Sequence, residues 1–359
     1  MNKKTIVTIT GIRPDFIRMN EVFKLLDKNF NHIMIHTGQH YDDSLSKIFF
    51  EDLHIRKPNY TLEMGKNSKT HYEQISYLSK EIFYLFDREK IRPDLILFLG
   101  DSNSAIVSPF LFKEGYKIGH VEGGMRSYDR RMPEEVNRVI CDYVSDFVFV
   151  YTPLYKERLV KENKNPNDIY VVGNTITEIV KHYMPTGVRE KNYILADIHR
   201  NENLKTTSQF RHILEFINEF SLKMKLPVKL VKFNRAMKMI EDHNLLEGLK
   251  QITPVGPYGF LKYLNLQYNA FAVISDSGTA QEECPLLGVP VIIPRKSTER
   301  PESLDNGCSI LIGEDLPIKD MMFDTIKFID SYSINDQKLH WLGQGNTAIN
   351  IISILKEKL

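Results

Sequence analysis

Ala272 to Glu302 reads AVISDSGTAQEECPLLGVPVIIPRKSTERPE. A buried strand (AVIS), a turn at Asp276, Ser277 and Gly278, a helix from about Thr279 to Leu287, and a second apolar strand (VPVII) after Gly288 make one βαβ unit. The turn sets Ser277 beside the unpaired first N–H groups of that helix, so Ser277 is expected to cap it, and Gly278 lets backbone come close to an anion. Glu282 and Glu283 fall in the first turns, where the helix dipole favours a carboxylate and a ribose diol would find an acceptor. Arg295, Glu299 and Arg300 return near the carboxyl end of the next strand, the edge at which open α/β sheets bind ligands. An ordinary capped helix with surface charges accounts for the same letters, so the rest of the chain has to discriminate.

A chain of 359 residues is long for one core and points to about two domains. With 42% apolar and 26% charged residues it has the makings of a water-soluble globular protein. Its net charge of +1 supplies no global field for nucleic acid or a membrane surface, so neither is expected as a partner. Cys141, Cys284 and Cys308 are odd in number and far apart, which argues for a reducing compartment, against a disulfide frame and against a metal site. The opening MNKKTIVTIT has no long apolar run ending in a cleavage site, and no stretch approaches membrane-spanning length, so a cytoplasmic location is expected.

The first half repeats one geometry. Thr5 to Thr10 is a β-branched run, punctuated by Gly11 and followed by a helical pattern that starts at Arg13 and Pro14. Arg13 therefore stands at a strand's carboxyl end, where its fork could meet a phosphate or simply face solvent. Strands near His32 to His36, Asp94 to Leu99 and Lys117 to Val121 end in Gln39 and His40, in Asp101 and in Glu122. A long amphipathic helix fills His71 to Glu89, and Pro133 opens another in which Glu134 and Arg138, four apart, share a face. That pair reads equally as a structural salt bridge. Strands at 147–151 and 169–172 complete an alternation that implies a doubly wound parallel sheet. No GxGxxG follows any of these strands, so no tightly held dinucleotide is indicated.

The polar stretch Met184 to Asn192 reads as a linker, giving a first domain over 1–184 and a second over 185–346. The second runs strand (Tyr193 to Ala196), helix, strand (Val228 to Val231), helix and then the βαβ unit, with His199 and Arg200 after its first strand. A lone histidine there is as readily a packed or surface residue as a functional one. Two such halves predict a ligand cleft between domains.

Read together, GIRPDFIRM, TGQH, GDS, HVEGGMRS, MPEEVNR, VVGNT, HRNEN and SDSGTAQEECP through TERPE resemble the bacterial non-hydrolysing UDP-N-acetylglucosamine 2-epimerases, in that family's order and over nearly the whole chain. The resemblance implies a GT-B fold of two Rossmann-like domains with the active site in the inter-domain cleft, helix 347–359 packing back on the first domain, a homodimer, and no cofactor or metal. It implies reversible C2 epimerisation of UDP-N-acetylglucosamine to UDP-N-acetylmannosamine for surface polysaccharides. Asp101, Glu122, Glu134 and His199 match its catalytic positions. Arg13 matches its diphosphate contact, and Ser277, Gly278 and Glu283 its phosphate and ribose contacts, with Arg300 close by; Thr279 lies beside the diphosphate in place of the family's second glycine. Tyr263 stands where the family has an aromatic near uracil, and Arg126 and Arg138 match residues that orient carboxylates or substrate.

The chemistry explains that set. The C2 hydrogen has no neighbouring carbonyl, so its direct removal leaves no stabilised carbanion. Loss of UDP from C1 makes C2–H acidic, a carboxylate takes the proton to leave a 2-acetamidoglucal, and re-protonation of C2 on the other face with return of UDP to C1 gives the epimer. Which carboxylate faces which side of C2 stays open. The chain departs from the family at Ile12, Asp15, Arg18, Thr279 and Asn201 and in KFNRA (Lys232 to Ala236), so the family's usual allosteric site is not implied. Alternatives are epimerisation of a modified UDP-HexNAc such as a 6-deoxy sugar or diacetamido uronate, hydrolysing epimerisation that releases N-acetylmannosamine and UDP, a GT-B glycosyltransferase, and a sugar-nucleotide sensor.

Overall fold

Short apolar runs separated by amphipathic segments become parallel strands covered by helices, because each strand is buried on both faces. The computed structural model describes residues 3–39, 53–128 and 132–359; the sequence-singled His40 and residues 129–131 lie outside them. The chain divides into two compact units, Met1–Ile179 with Leu342–Leu359, and Val180–Trp341.

Among the described residues, unit 1 holds β1 (Thr5–Thr10), β2 (Asn31–His36), β3 (Tyr60–Thr61), β4 (Leu95–Leu99), β5 (Ile118–Gly123), β6 (Phe147–Val150) and β7 (Ile169–Val171). They form one sheet in the order β3-β2-β1-β4-β5-β6-β7, every pair parallel. Every residue of LILFL in β4 is buried, as its unbroken hydrophobicity requires. The helix His71–Arg88 begins in a capping box: Glu73 N donates to Thr70 Oγ1 (3.2 Å), and Glu73 Oε2 accepts from Thr70 N (3.0 Å). Its Leu78, Ile82, Leu85 and Phe86 enter the core with Ile96 and Phe98.

Unit 2 holds β8 (Ile194–Asp197), β9 (Val228–Val231), β10 (Ile252–Val255), β11 (Ala272–Ser275), β12 (Val291–Ile293) and β13 (Ser309–Leu311). They pair in parallel in the order β10-β9-β8-β11-β12-β13. Phe210, Ile213, Leu214 and Ile217 of the helix Thr207–Met224 cover this sheet beside Leu230 and Ile274. The sequence reading misses β3, β10 and β13, which are short and carry polar residues or proline (YT, ITPV, SIL). It places the helix of the central βαβ unit at Thr279 to Leu287, whereas the helix runs Ala280–Leu286 with Pro285 inside it. Proline cannot donate to the carbonyl four residues back, and the Ser303 hydroxyl donates to that Gln281 carbonyl instead (3.2 Å).

The last helix, Thr347–Lys358, belongs to unit 1 and lies against the first helix, Arg13–Asn29. Ala348 N donates to Glu178 Oε2 (2.9 Å), Asn350 Nδ2 to the Val172 carbonyl (3.0 Å), and the preceding Leu342 carbonyl accepts from Thr177 Oγ1 (2.7 Å). Ile351 is completely buried. Ile351→Ala should therefore lower the unfolding free energy by about 2–5 kcal/mol, seen as a lower urea midpoint, and an unshifted midpoint would show that the helix contributes no core.

Candidate active site

In a doubly wound sheet, the loops leaving the two strands at the reversal of strand order diverge and open a crevice at their carboxyl ends. In unit 1 these follow β1 and β4. A Cβ built on Gly11 would meet the Ser104 and Ser102 hydroxyls, so a larger residue there would push those side chains aside where the two loops come together. Asp15, in the first turn of the helix Arg13–Asn29, accepts from Gly11 N (2.7 Å) and Ile12 N (3.1 Å). Asp101 follows β4, and Glu122 lies in β5 where the register with β6 shifts. Glu122 has φ +74°, a left-handed backbone that costs a non-glycine residue about 1–3 kcal/mol and collects at functional sites.

Two buried arginines hold these acids. Arg138, from the helix Pro133–Val144, donates to Asp101 and stands 3.7 Å from Glu122 Oε1. Arg18 Nη1 lies 3.4 Å from Glu122 Oε2 and 3.3 Å from Tyr151 Oη. Asn137 Nδ2 donates to the Asp101 carbonyl (2.9 Å). Burial, opposed by the Gly11 and Ile12 N–H groups and reinforced by Asp101 and Glu122, pushes the pKa of Asp15 up to about 7.

In unit 2 the reversal lies between β8 and β11. β8 ends at Asp197, and its Oδ1 is 2.8 Å from His199 Nδ1 while its Oδ2 accepts from Tyr263 Oη (2.5 Å). Asp276, after β11, is fully buried and accepts from His199 N (3.1 Å), Arg200 N (3.0 Å) and Asn203 Nδ2 (3.0 Å). Burial works against charge on His199, but Asp197 and Asp276 outweigh it and raise its pKa. Its side chain is 32% exposed, so a ligand can reach it. One donor atom each from Asp197, His199 and Asp276 lie within 4.8 Å of one another, a spacing a cation could use. Their oxygens are already engaged by N–H and O–H donors, so the group reads as a clamp that orients His199.

Beside it, Arg295 pairs with Glu299 (3.2 Å) and Glu202 (2.9 Å), Arg200 Nη1 is 3.7 Å from Glu299, and Arg300 Nε is 3.3 Å from Glu282. Burial raises the pKa of Glu299, but Arg200, Arg295 and Arg300 together hold it far below the usual carboxylate range. Arg300 lies over Gly278: a Cβ there would sit 2.4 Å from Arg300 Nη1.

The structure thus groups Asp101, Glu122 and Arg138 in unit 1, and His199, Tyr263, Gly278 and Arg300 along one edge of unit 2. The Arg13 side chain lies outside the described residues. Glu134 is exposed, while its neighbour Glu135 is buried and accepts from Ser127 N (2.9 Å) and Tyr128 N (3.1 Å). Arg126 is engaged by Asp142 (2.7 Å) and Glu162 (2.7 Å). Glu283 accepts from Gln267 Nε2 (2.9 Å). Ser277 does not cap the following helix as expected: Thr279 is the N-cap, in helical conformation and without a side-chain cap bond, and Ser277 N donates to Ser275 Oγ (3.0 Å). Sequence reasoning gave no role to Asp15, Arg18, Asn137 or Asp197. Asp197 carried a usable signal, as a lone acid ending an apolar strand just as Asp101 follows one.

Residues 24–356 match the profile of a protein family described as UDP-N-acetylglucosamine 2-epimerase. The chain belongs to this family. A UDP-N-acetylglucosamine 2-epimerase of Methanocaldococcus jannaschii is 34% identical, over 97% of this chain and 97% of its own length. A UDP-2,3-diacetamido-2,3-dideoxy-D-glucuronate 2-epimerase of Pseudomonas aeruginosa is 32% identical, over 96% and 98%. The crystal structure of M. jannaschii UDP-GlcNAc 2-epimerase in complex with UDP-GlcNAc and UDP superposes with a TM-score of 0.88 at 32% identity, covering 98% of this chain and 99% of that one. A likeness to the glycosyltransferase of kitacinnamycin, with a TM-score of 0.66 at 10% identity and full coverage of both chains, concerns the fold alone, which is of the GT-B type.

Two consequences of these clusters can be measured. Asp15 keeps its proton to about pH 7 when folded and to about pH 4 when unfolded, so its contribution to stability falls as pH rises through that window. Asp15→Asn keeps the acceptor and removes the titration; its stability relative to the parent should improve by about 2–3 kcal/mol between about pH 5 and pH 8, and urea midpoints differing equally at both pH values would refute this. Gly278→Ala should displace the Arg300 guanidinium and, if Arg300 holds phosphate as the resemblance implies, weaken UDP binding at least about 10-fold; unchanged calorimetric affinity would remove that implied role.

Proposed function

We propose that the chain interconverts UDP-N-acetylglucosamine and UDP-N-acetylmannosamine without hydrolysis. The observation that carries this reading is the pair Asp101 and Glu122, held by Arg138 and Arg18, at the point of unit 1 where an open α/β sheet binds ligands. Family membership supplies the substrate class, since relatives named for UDP-N-acetylglucosamine span nearly the whole chain. In this reading the C1–O bond breaks with its electron pair going to the UDP β-phosphate oxygen, and one carboxylate removes the C2 proton to give the 2-acetamidoglucal. Protonation at C2 on the opposite face and re-addition of UDP at C1 complete the turnover. His199 and Arg300 of unit 2, with Arg13, would neutralise the departing diphosphate, and Tyr263, Ser277, Thr279 and Glu283 would line the nucleotide. Glu134, exposed in the first turn of the helix whose Arg138 holds Asp101, would complete the catalytic set.

A second reading, epimerisation at C2 of a modified UDP-HexNAc, is favoured by the Pseudomonas relative, whose name specifies a diacetamido uronate. A homodimer also belongs to the proposal, favoured by the exposed Tyr72, Tyr84, Phe110 and Tyr143 of unit 1. Sedimentation as a monomer at micromolar concentration would remove it.

The test is proton NMR of the purified protein with UDP-N-acetylglucosamine in D2O. UDP-N-acetylmannosamine carrying deuterium at C2 is the expected product. Free N-acetylmannosamine with UDP would instead mean hydrolysing chemistry, and turnover of a diacetamido uronate alone would select the second reading. Asp101→Asn and Glu122→Gln should each lower kcat by at least about 100-fold with UDP affinity retained; normal turnover in either would exclude that carboxylate from proton transfer.

A further inference from the structure

We infer that His120 is a positioning residue, held as a doubly protonated imidazolium that fixes the backbone on which both Asp101 and Glu122 stand. The role in catalysis rests on the epimerase reading above; the state of the ring does not.

The protonation state follows from geometry. His120 lies in β5 and is completely buried. Its Nε2 is 2.7 Å from the Gly100 carbonyl oxygen, which can only accept, so Nε2 carries a hydrogen. Its Nδ1 is 2.7 Å from Asp142 Oδ1. Asp142 also accepts from Arg126 Nη1 (2.7 Å) and Gly124 N (3.0 Å). A carboxylate gripped by an arginine and a backbone N–H is ionised and accepts from every side, so Nδ1 carries a hydrogen too. A neutral ring would leave one of these short, buried contacts without a donor. The charged groups around the ring agree: burial opposes its charge, Cys141 and Asp142 of the helix Pro133–Val144 favour it, and Arg126 is itself balanced by Glu162.

The consequence falls on the two acids. Gly100 has φ +65°, and the His120 ring holds the carbonyl of this turn immediately before Asp101. On the other side, Asp142 grips the His120 ring and Gly124 N, the residues that bracket Glu122 in its left-handed conformation. One ring and one carboxylate therefore tie the turn after β4 to the irregular end of β5. Arg18 and Arg138 act on the acid side chains from the other direction. His120 touches neither carboxylate in the contacts described, which separates positioning from proton transfer.

The experiment starts on the unmodified full chain labelled with 15N-histidine. Through-bond correlation to the His120 backbone should reveal two ring N–H protons persisting to about pH 8.5, far above the usual imidazole range. A single ring N–H there overturns the imidazolium, whatever the protein catalyses. Kinetics then test positioning with Asp142→Asn, which keeps an acceptor but removes the charge, and with His120→Gln, which keeps one donor. In each, kcat should fall about 30- to 100-fold with KM within about threefold, and in His120→Gln, which alone removes a fixed positive charge near the two acids, the acid limb of the kcat–pH profile should move upward. Parental kcat and pH profile in a folded variant overturn the positioning role. If the parent turns over no UDP-sugar of a panel, the proposed function and this role fall together, while the two-proton ring is decided by the spectrum alone.

Discussion

A buried charge persists only when partners replace the water it has lost, and both clusters of this protein are built on that constraint. In unit 1, Asp15, Glu122, Arg18 and Arg138 are all nearly inaccessible, and each answers another or a backbone dipole. Removing any one partner leaves the next uncompensated, so the acids and cations form one interdependent arrangement rather than separate salt bridges. The constraint extends outward to Arg126, which shares Asp142 with His120 and binds Glu162 at the edge of the unit.

The same constraint acts differently in unit 2. Arg200, Arg295 and Arg300 converge on Glu299 and Glu282, so part of the positive charge is already neutralised before any ligand is present. In the proposed reaction a diphosphate arriving there would compete with carboxylates for the same guanidinium groups, and such a site would take up and give back the anion more readily than one of bare cations. Asp197, Asp276 and Tyr263 meanwhile hold His199 in one orientation at the same sheet edge.

Much of this was legible from the letters. Alternating apolar runs and helical patterns called for parallel sheets, and the acids and bases after strand ends marked the ligand-binding edge. Asp101, Glu122, Arg138, His199 and Arg300 were all found in that way or through the order of motifs. Glu134 and Glu135 were not separable, because adjacent residues of a helix's first turn carry the same signal and only packing sends one inward. Asp15 looked like a conservative departure at a helix start, yet its burial and acidic neighbours, against the pull of its two backbone N–H bonds, give it a proton affinity unlike that of an exposed aspartate.

By itself, the sequence determined the parallel α/β architecture, the family, and which strand ends carry the acids and bases, because these depend on periodicity, on turn residues and on the order of motifs along the chain. Tertiary structure alone decided the strand order, the left-handed Glu122 and the two-sided hydrogen bonding of His120. Those depend on contacts between segments far apart in sequence: Gly100 meets His120 across two strands, and Asp142 reaches His120 from a helix. No local pattern records such a meeting, since each residue's protonation and backbone energy are set by groups that only folding brings beside it.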